Sequence, residues 1–358
     1  MSTQFEVSLV ARTPASSGAP TLTEVDRLVC ESIRYTDELN RPGSATLACN
    51  VSSLSDAVKA RLANLRSFPS EVWIYSDAEL VWAGYIATIG IQGQVATLNC
   101  IGLLGYTARM GIVSDVTYTA EDQFTIAADL IDDWQALSYG HYGIDTSSVG
   151  TSGVTRDRTY LRNDLKDVWG ALSDLGAVLD GFDMHVTPDT RELVLSYPER
   201  GVDLSASVVL DERSIDSASE ARSVAVDDLV SDFGGTSSGQ AADGTQSNLY
   251  TYRENATLQA AFGRSWKGQS FFNIVEQTTL DGKGDAYLAS RGQQMIQPGV
   301  TLIPNVGNGT EIGQFGVGDT VAYSYDAGLG LLSGNYRVGK LEVSIAKDGA
   351  QRVGVEFI

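Results

Sequence analysis

Histidine is nearly absent from this chain. His141 and His185 are the only two in 358 residues. Imidazole is the usual acid–base group near neutral pH and a frequent metal ligand, so the scarcity narrows the room for both kinds of chemistry. His185 stands between Met184 and Val186 in an alternating segment and reads as structural, and His141 sits in a Tyr–Gly loop beside no carboxylate pair. Cysteine is scarce too. Cys30, Cys49 and Cys100 lie in apolar or strand-like contexts. An odd count without close spacing argues against a disulfide framework or a zinc site, so all three read as buried free thiols. Positive charge is short: 25 Lys and Arg stand against 45 Asp and Glu, for a net charge of -20. Such a surface does not wrap nucleic acid, which needs clustered cations, although DNA can slide past it. No apolar run approaches the ~20 residues that span a bilayer. The opening MSTQFEVSLVAR lacks a basic segment followed by an apolar one, so no signal peptide is expected. A soluble chain made in a cytoplasm is expected. HExxH, CxxC and Walker patterns are missing.

What is present is strand. Residues 70–109 read SEVWIYSDAELVWAGYIATIGIQGQVATLNCIGLLGYTAR. Three apolar runs rich in Val, Ile, Trp and Tyr are split by Ser76–Glu79 and Gln92–Gln94, the pattern of an antiparallel meander. Val72 and Ile74 point one way, while Trp73 and Tyr75 point the other. Large apolar groups on both faces mean both faces are covered. One face is expected against a barrel core and the other against a second domain or subunit. A second meander follows Val317, through Val321, Tyr323 and Tyr325, then Val338 to Ile345, then Val353 to Phe357. The two share a layout without clear identity, which suggests a duplication.

Between them the texture changes. Phe124, Ala127, Ile131 and Trp134 recur at helical spacing over Ala120–Leu137, with Thr119 as the expected N-cap and Asp122 three residues on. Asp164–Leu175 reads as a second helix with Leu165, Val168, Leu172 and Leu175 on one face, stopped by Gly176. Phe182–Val186 and Leu193–Tyr197 read as a hairpin. Ser231–Asn248, low in apolar residues, reads as a flexible, protease-sensitive loop or linker. Asn255 is expected to cap a short helix, Phe271–Thr278 to form a strand, and Asp285–Ile296 a helix ended by Pro298–Gly299.

At this length two to four domains are expected. The fold class is β-rich α+β: two antiparallel β-barrel domains, an inserted small α+β domain and a second, smaller helical and strand insertion. The boundaries are 1–115 for the first barrel, 116–203 for the insert, 204–250 with 300–358 for the second barrel, and 251–299 for the smaller insertion.

Candidate sites are weak. Gly235-Thr236-Ser237-Ser238-Gly239 matches GxSxG but lies in a polar stretch, not on the strand-to-helix turn that a nucleophile needs. Asp132–Asp133 and Asp227–Asp228 are adjacent carboxylates and read as solvated faces rather than as a glycosidase pair. Asp281-Gly282-Lys283-Gly284-Asp285 lacks the remaining ligands of a calcium loop and reads as a turn leading into a helix. Trp73, Tyr75, Trp82 and Tyr85 could form a sugar platform, but on strands they read as core or interface. No catalytic, cofactor-binding or metal-binding residue is assigned, and no cofactor is expected.

Four stretches carry a family resemblance: Glu38–Ala45; Glu71–Tyr75 with Leu80–Gly84; Asp180–Asp183 with Tyr197–Gly201; and Gly318–Val321 with Tyr336–Val338. In order and spacing they resemble the minor tail (tail-hub) proteins of long-tailed bacteriophages, related to the baseplate hub of contractile tails. The resemblance spans nearly the whole chain, apart from Ser231–Asn248. It implies that the barrels are tail-tube-like and that the chain is a non-enzymatic structural protein at the virion tail tip, assembled in the bacterial cytoplasm. It implies a homotrimer forming a pseudo-sixfold ring that joins the tail tube, or a distal tail protein, to a tip, fibre or central spike protein, with a tape measure protein as neighbour and DNA passing through unbound. Two other readings stand beside it: a carbohydrate-binding or carbohydrate-cleaving tail-tip protein, and a sixfold distal tail ring protein.

Overall fold

Alternating apolar residues fix the register of the first unit. The computed structural model of the chain describes residues 4–64, 69–223, 229–240, 244–272, 274–291, 295–303, 313–326, 328 and 330–358. The first unit holds β1 (Phe5–Thr13), β2 (Thr21–Arg27), β3 (Cys30–Glu38), β4 (Arg41–Asn50), α1 (Asp56–Ala63), β5 (Ser70–Ser76), β6 (Glu79–Gln92) and β7 (Val95–Gly102). The β5–β6–β7 meander is the one read from sequence. The insert holds β8 (Val116–Asp122), α2 (Gln123–Gln135), β9 (Thr155–Tyr160), α3 (Val168–Gly176), β10 (Asp183–Val186) and β11 (Leu193–Ser196). The rest comprises β12 (Val209–Leu210), β13 (Ile215–Ser223), β14 (Asp232–Gln240), β15 (Gln246–Glu254), α4 (Ala256–Phe262), β16 (Trp266–Phe272), α5 (Gln277–Arg291), β17 (Met295–Leu302), β18 (Thr320–Asp326), β19 (Leu331–Ala346) and β20 (Gln351–Phe357).

The expected pair of tail-tube-like antiparallel β-barrel domains is not found. Both meanders belong to one open sheet of 13 strands, in the order β13-β17-β20-β19-β3-β4-β7-β6-β5-β1-β2, with β18 and β12 branching from β19. The reason lies in β3. It pairs β4 on one side and, on the other, the second meander's β19, from Lys340↔Glu38 to Ala346↔Ser32. A strand committed to the second unit cannot close the first. Three smaller sheets, β14–β15–β16, β10–β11 and β8–β9, complete the mixed β-rich α+β fold among the described residues.

The two units share more than a meander. The first pairs its strands as β5-β6-β7-β4-β3 and the second as β18-β19-β20-β17-β13, antiparallel at every step. Each has a register shift at the same place, Ile86/Thr88 in the first and Val338/Lys340 in the second. Superposing the ladders at this shift sets Ile86 on Val338, Leu98 on Val355, Leu47 on Val300 and Ile74 on Tyr323, and all eight are buried in one apolar cluster. The correspondence weakens at the flank, where β1 pairs β5 antiparallel but β12 pairs β18 parallel.

Both faces of β5 and β6 are covered, but from within the chain. Val72, Ile74 and Trp82 enter the sheet's main cluster, while Ala83 and Tyr85, with Trp73 at the margin, join a second cluster built on α2 and α3. Two-faced apolarity here therefore needs no neighbouring subunit. The helix starts differ from expectation. Thr119 and Ala120 continue β8, and Asp122 caps α2 by accepting from the Phe124 amide at 2.8 Å. Asp167 caps α3, and Leu165, expected on its buried face, is left-handed and 90% exposed. The described residues of the expected Ser231–Asn248 loop are mostly strand: Asp232–Gln240 pairs residue by residue with Gln246–Glu254. Asp281–Asp285 lies inside α5 rather than in a turn, and Pro298–Gly299 lies in β17. Asp227–Asp228 falls outside the described residues.

Candidate functional site: the joints between the cores

Two clusters of charged side chains hold the parts together. The first forms where the sheet meets the insert. Glu71 on β5 is fully buried. Its carboxylate accepts from Arg191 Nη1 at 2.9 Å and Nη2 at 3.3 Å, from Tyr106 Oη at 2.8 Å and from Trp73 Nε1 at 3.2 Å. Arg191, in the β10–β11 turn, also donates to the carbonyls of Gly143 and Tyr142, each at 2.9 Å. Arg12 donates to the His141 carbonyl at 3.0 Å and stacks over Tyr142, 4.7 Å from its centroid. Burial, followed by the Glu71 charge, holds the Tyr106 hydroxyl well above its ordinary pKa. A buried ion pair this fully hydrogen-bonded positions the two cores against each other.

The second joint brings three regions to one carboxylate. Asp183, at the start of β10, accepts from Asn40 Nδ2 at 2.6 Å, from the Arg200 amide at 2.7 Å and from Arg337. Asn40 comes from the β3–β4 turn and Arg337 from β19. Asn40 Oδ1 returns the contact by accepting from the Met184 amide at 2.8 Å. Arg337 also donates to the carbonyls of Gly318 at 3.0 Å and Arg200 at 2.8 Å, and Arg200 reaches Asp37 at 3.0 Å. Gly201 and Gly318 both hold φ of +96° with their backbones in contact, where a Cβ on Gly201 would fall 2.2 Å from the Gly318 carbonyl carbon. Only glycine permits that approach.

His185 lines a cleft beside this joint, near Arg200 and Asp37. Burial first, then the Arg200 charge, lowers its pKa to about 4. The unfolded chain therefore binds this proton more readily, and the stability the neutral ring contributes is lost as pH falls from about 6.5 towards about 4. We expect a loss of about 3 kcal/mol across that window, read by chemical denaturation at pH 7 and at pH 4.5. The His185→Gln variant should lose less, and an equal loss would assign the acid sensitivity to other groups.

The remaining sequence candidates are dispersed. His141 Nδ1 accepts from the Gly143 amide at 2.9 Å and is spent on its own loop. Ser237 lies in mid-strand on β14, buried, with its hydroxyl accepting from the Ile274 amide at 3.0 Å. Asp132 accepts from Thr146 Oγ1 at 2.7 Å, and Asp281 and Asp285 both pair with Arg253. Trp82 and Tyr85 are buried and Trp73 is half-buried, so these rings form no exposed platform. No cluster among the described residues could hold a metal ion, and no helix among them is long and apolar enough to cross a membrane. The sequence did not point to Arg191, or to a cavity of about 470 Å3 between β9, α3 and α5. There Arg158, Lys166 and Lys283 meet Asp174, and burial lowers Lys283 to about 8.

The architecture is a long open sheet built from two like units, with the insert pinned at both joints. No family model and no curated protein matches the sequence. The 43 kDa tail protein of prophage MuSo2 from Shewanella oneidensis matches with a TM-score of 0.61 at 13% identity, covering 99% of this chain and 98% of that one. A tail protein from Neisseria meningitidis matches at 0.59 and 13%, covering 99% and 96%. A prophage tail protein from Listeria monocytogenes matches at 0.50 and 11%, covering 98% and 94%. At these identities the likeness is one of fold, and the chain has the phage tail protein fold along its whole length.

Proposed function

We propose that this chain is a structural tail-hub protein of a bacteriophage virion. In this reading three copies form a pseudo-sixfold ring joining the tail tube to the tip or fibres, and DNA passes through without specific binding. The observation that carries it is the repeated five-strand unit in a single chain. Two like units per chain let three chains present six similar positions to a sixfold tube while keeping threefold symmetry towards a tip. The net charge of -20 suits a channel that does not retain DNA. The joints fit the same role, because they fix the angle between the repeated units and the insert, and a ring of defined radius needs that angle fixed.

Single-particle imaging of intact tails tests the proposal. Three copies around a channel are the expected result. Six copies would favour a distal tail ring protein, and absence of the chain from tails would overturn the structural reading.

A further inference from the structure

Each repeated unit contains one long strand that outruns its neighbour. In the second unit, β18 covers β19 from Leu331 to Arg337, and beyond that point the same side of β19 is taken by β3, over Lys340–Ala346. In the first unit, β5 covers β6 from Glu79 to Tyr85. Beyond that point, from Thr88 to Gln92, β7 pairs one side and no described strand pairs the other. The counterpart of β3 is β13. It pairs β17 on one side, and among the described residues nothing pairs its other side. One unit thus lacks the strand that β3 supplies, and the other ends in a β3-like strand without the partner β3 has. These edges lie apart in the sheet order, with six strands between β13 and β6, and they are not paired with each other within the chain.

We infer that β13 of one copy pairs antiparallel with the Thr88–Gln92 edge of β6 in the next copy, repeating between chains the β3–β19 pairing found within each chain. The ladder correspondence sets the register. It places Ile89 on Leu341 and Ala218 on Ile33, because Leu98–Leu47 and Val355–Val300 link them in the two units. Ser344↔Arg34 within the chain then becomes Gln92↔Ser219 between chains, with Thr88 opposite Ser223 at the far end.

Side-chain burial agrees. Ile91 is 67% exposed, whereas its counterpart Val343 is 5% exposed beneath the β3 pairing. A large β-branched residue left in water on a strand edge is a docking feature or an aggregation hazard. A second copy is the occupant this edge fits, because the chain itself carries the complementary strand. The contact is head-to-tail, joining two different edges, which is the kind of contact that builds a ring when its rotation closes. The pairing rests on the ring reading above for the number of copies.

The test is disulfide trapping in tails assembled with the full-length Gln92→Cys/Ser219→Cys chain. Mild oxidation should give covalent species of two and three copies. The single variants should give none, and Gln92→Cys/Asp216→Cys, offset by an odd number of residues, should trap at least tenfold less. Ile91→Lys should fold normally by circular dichroism yet enter tails at least tenfold less. Three copies per tail with no trapping at Gln92 and Ser219 would overturn the strand pairing and leave the hub reading intact. Absence of the unmodified chain from tails would overturn both.

Discussion

Arg191→Ala is expected to lower stability by about 3–5 kcal/mol, although Arg191 lies in a turn. The cost comes from what is left behind. Glu71 is fully buried, and its carboxylate would keep only Tyr106 and Trp73 as donors. An ionised carboxylate out of water with half its partners gone is far more costly than the intact pair is favourable. Three other changes separate this account from simple loss of side-chain volume. Arg191→Lys should recover little, because one ammonium cannot reproduce two parallel bonds to Glu71 and two more to the carbonyls of Gly143 and Tyr142. Tyr106→Phe should cost about 1.5–3 kcal/mol, the worth of one hydrogen bond to a charged acceptor. Glu71→Gln combined with Arg191→Met should be milder than Arg191→Ala alone, since the pair is removed and no lone charge remains. Urea denaturation at pH 7, read from midpoints at constant slope, gives all four values. A loss under about 1 kcal/mol for Arg191→Ala would show that water reaches Glu71 and that this joint is not a sealed one.

The same joint shows what sequence could and could not disclose. The meanders were legible because alternation of large apolar residues is a local signal with period two. The α3 cap and the β2 strand were not. Thr21–Arg27 buries none of its side chains fully, so β2 carries no alternation to read. The β14–β15 hairpin was misread for a different reason. Its strands are rich in Gly and Ser, and their cover comes from elsewhere: a Cβ on Gly234 would fall 2.1 Å from the Trp266 ring. A strand whose neighbours bring the apolar surface looks like a linker when viewed alone. Gly282 and Gly284 similarly broke the periodicity of α5, where Gly284 lies against Phe233 and Arg253. The barrels failed on topology. Each meander was recognisable, but nothing local says that β3 pairs forward to residues three hundred positions away. The four stretches that carried the family resemblance fared better. Three of them, around Asn40, Asp183 with Arg200, and Gly318 with Arg337, meet at the second joint, and the fourth supplies Glu71 to the first. What looked like scattered weak motifs is the set of residues that fasten the cores to one another. No pattern within a single stretch could pair position 71 with 191, or 40 with 183 and 337.

Asp183→Ala should be as damaging as the loss of Arg191, and its effect should spread across three regions. Asp183 joins the β3–β4 turn, the insert and β19 through one carboxylate, and its removal leaves Arg337 and Asn40 Nδ2 without their shared acceptor. We expect about 3–5 kcal/mol of destabilisation from losing three hydrogen bonds to one buried carboxylate. We also expect faster amide exchange at Met184 and Arg200, whose backbone groups are tied to this cluster. Asn40 offers a graded control. It holds φ of 55°, which asparagine tolerates better than most residues. Asn40→Gly therefore removes only the side-chain bonds, for about 1–3 kcal/mol. Asn40→Ala adds backbone strain of about 1–2 kcal/mol to that. If the joint sets the angle between the repeated units, Asp183→Ala chains that still fold at low temperature should enter tails poorly, while Asn40→Gly chains should enter normally. Equal incorporation of both would mean that the angle is set by the β3–β19 pairing alone. The charged joint would then contribute stability without shaping the assembly.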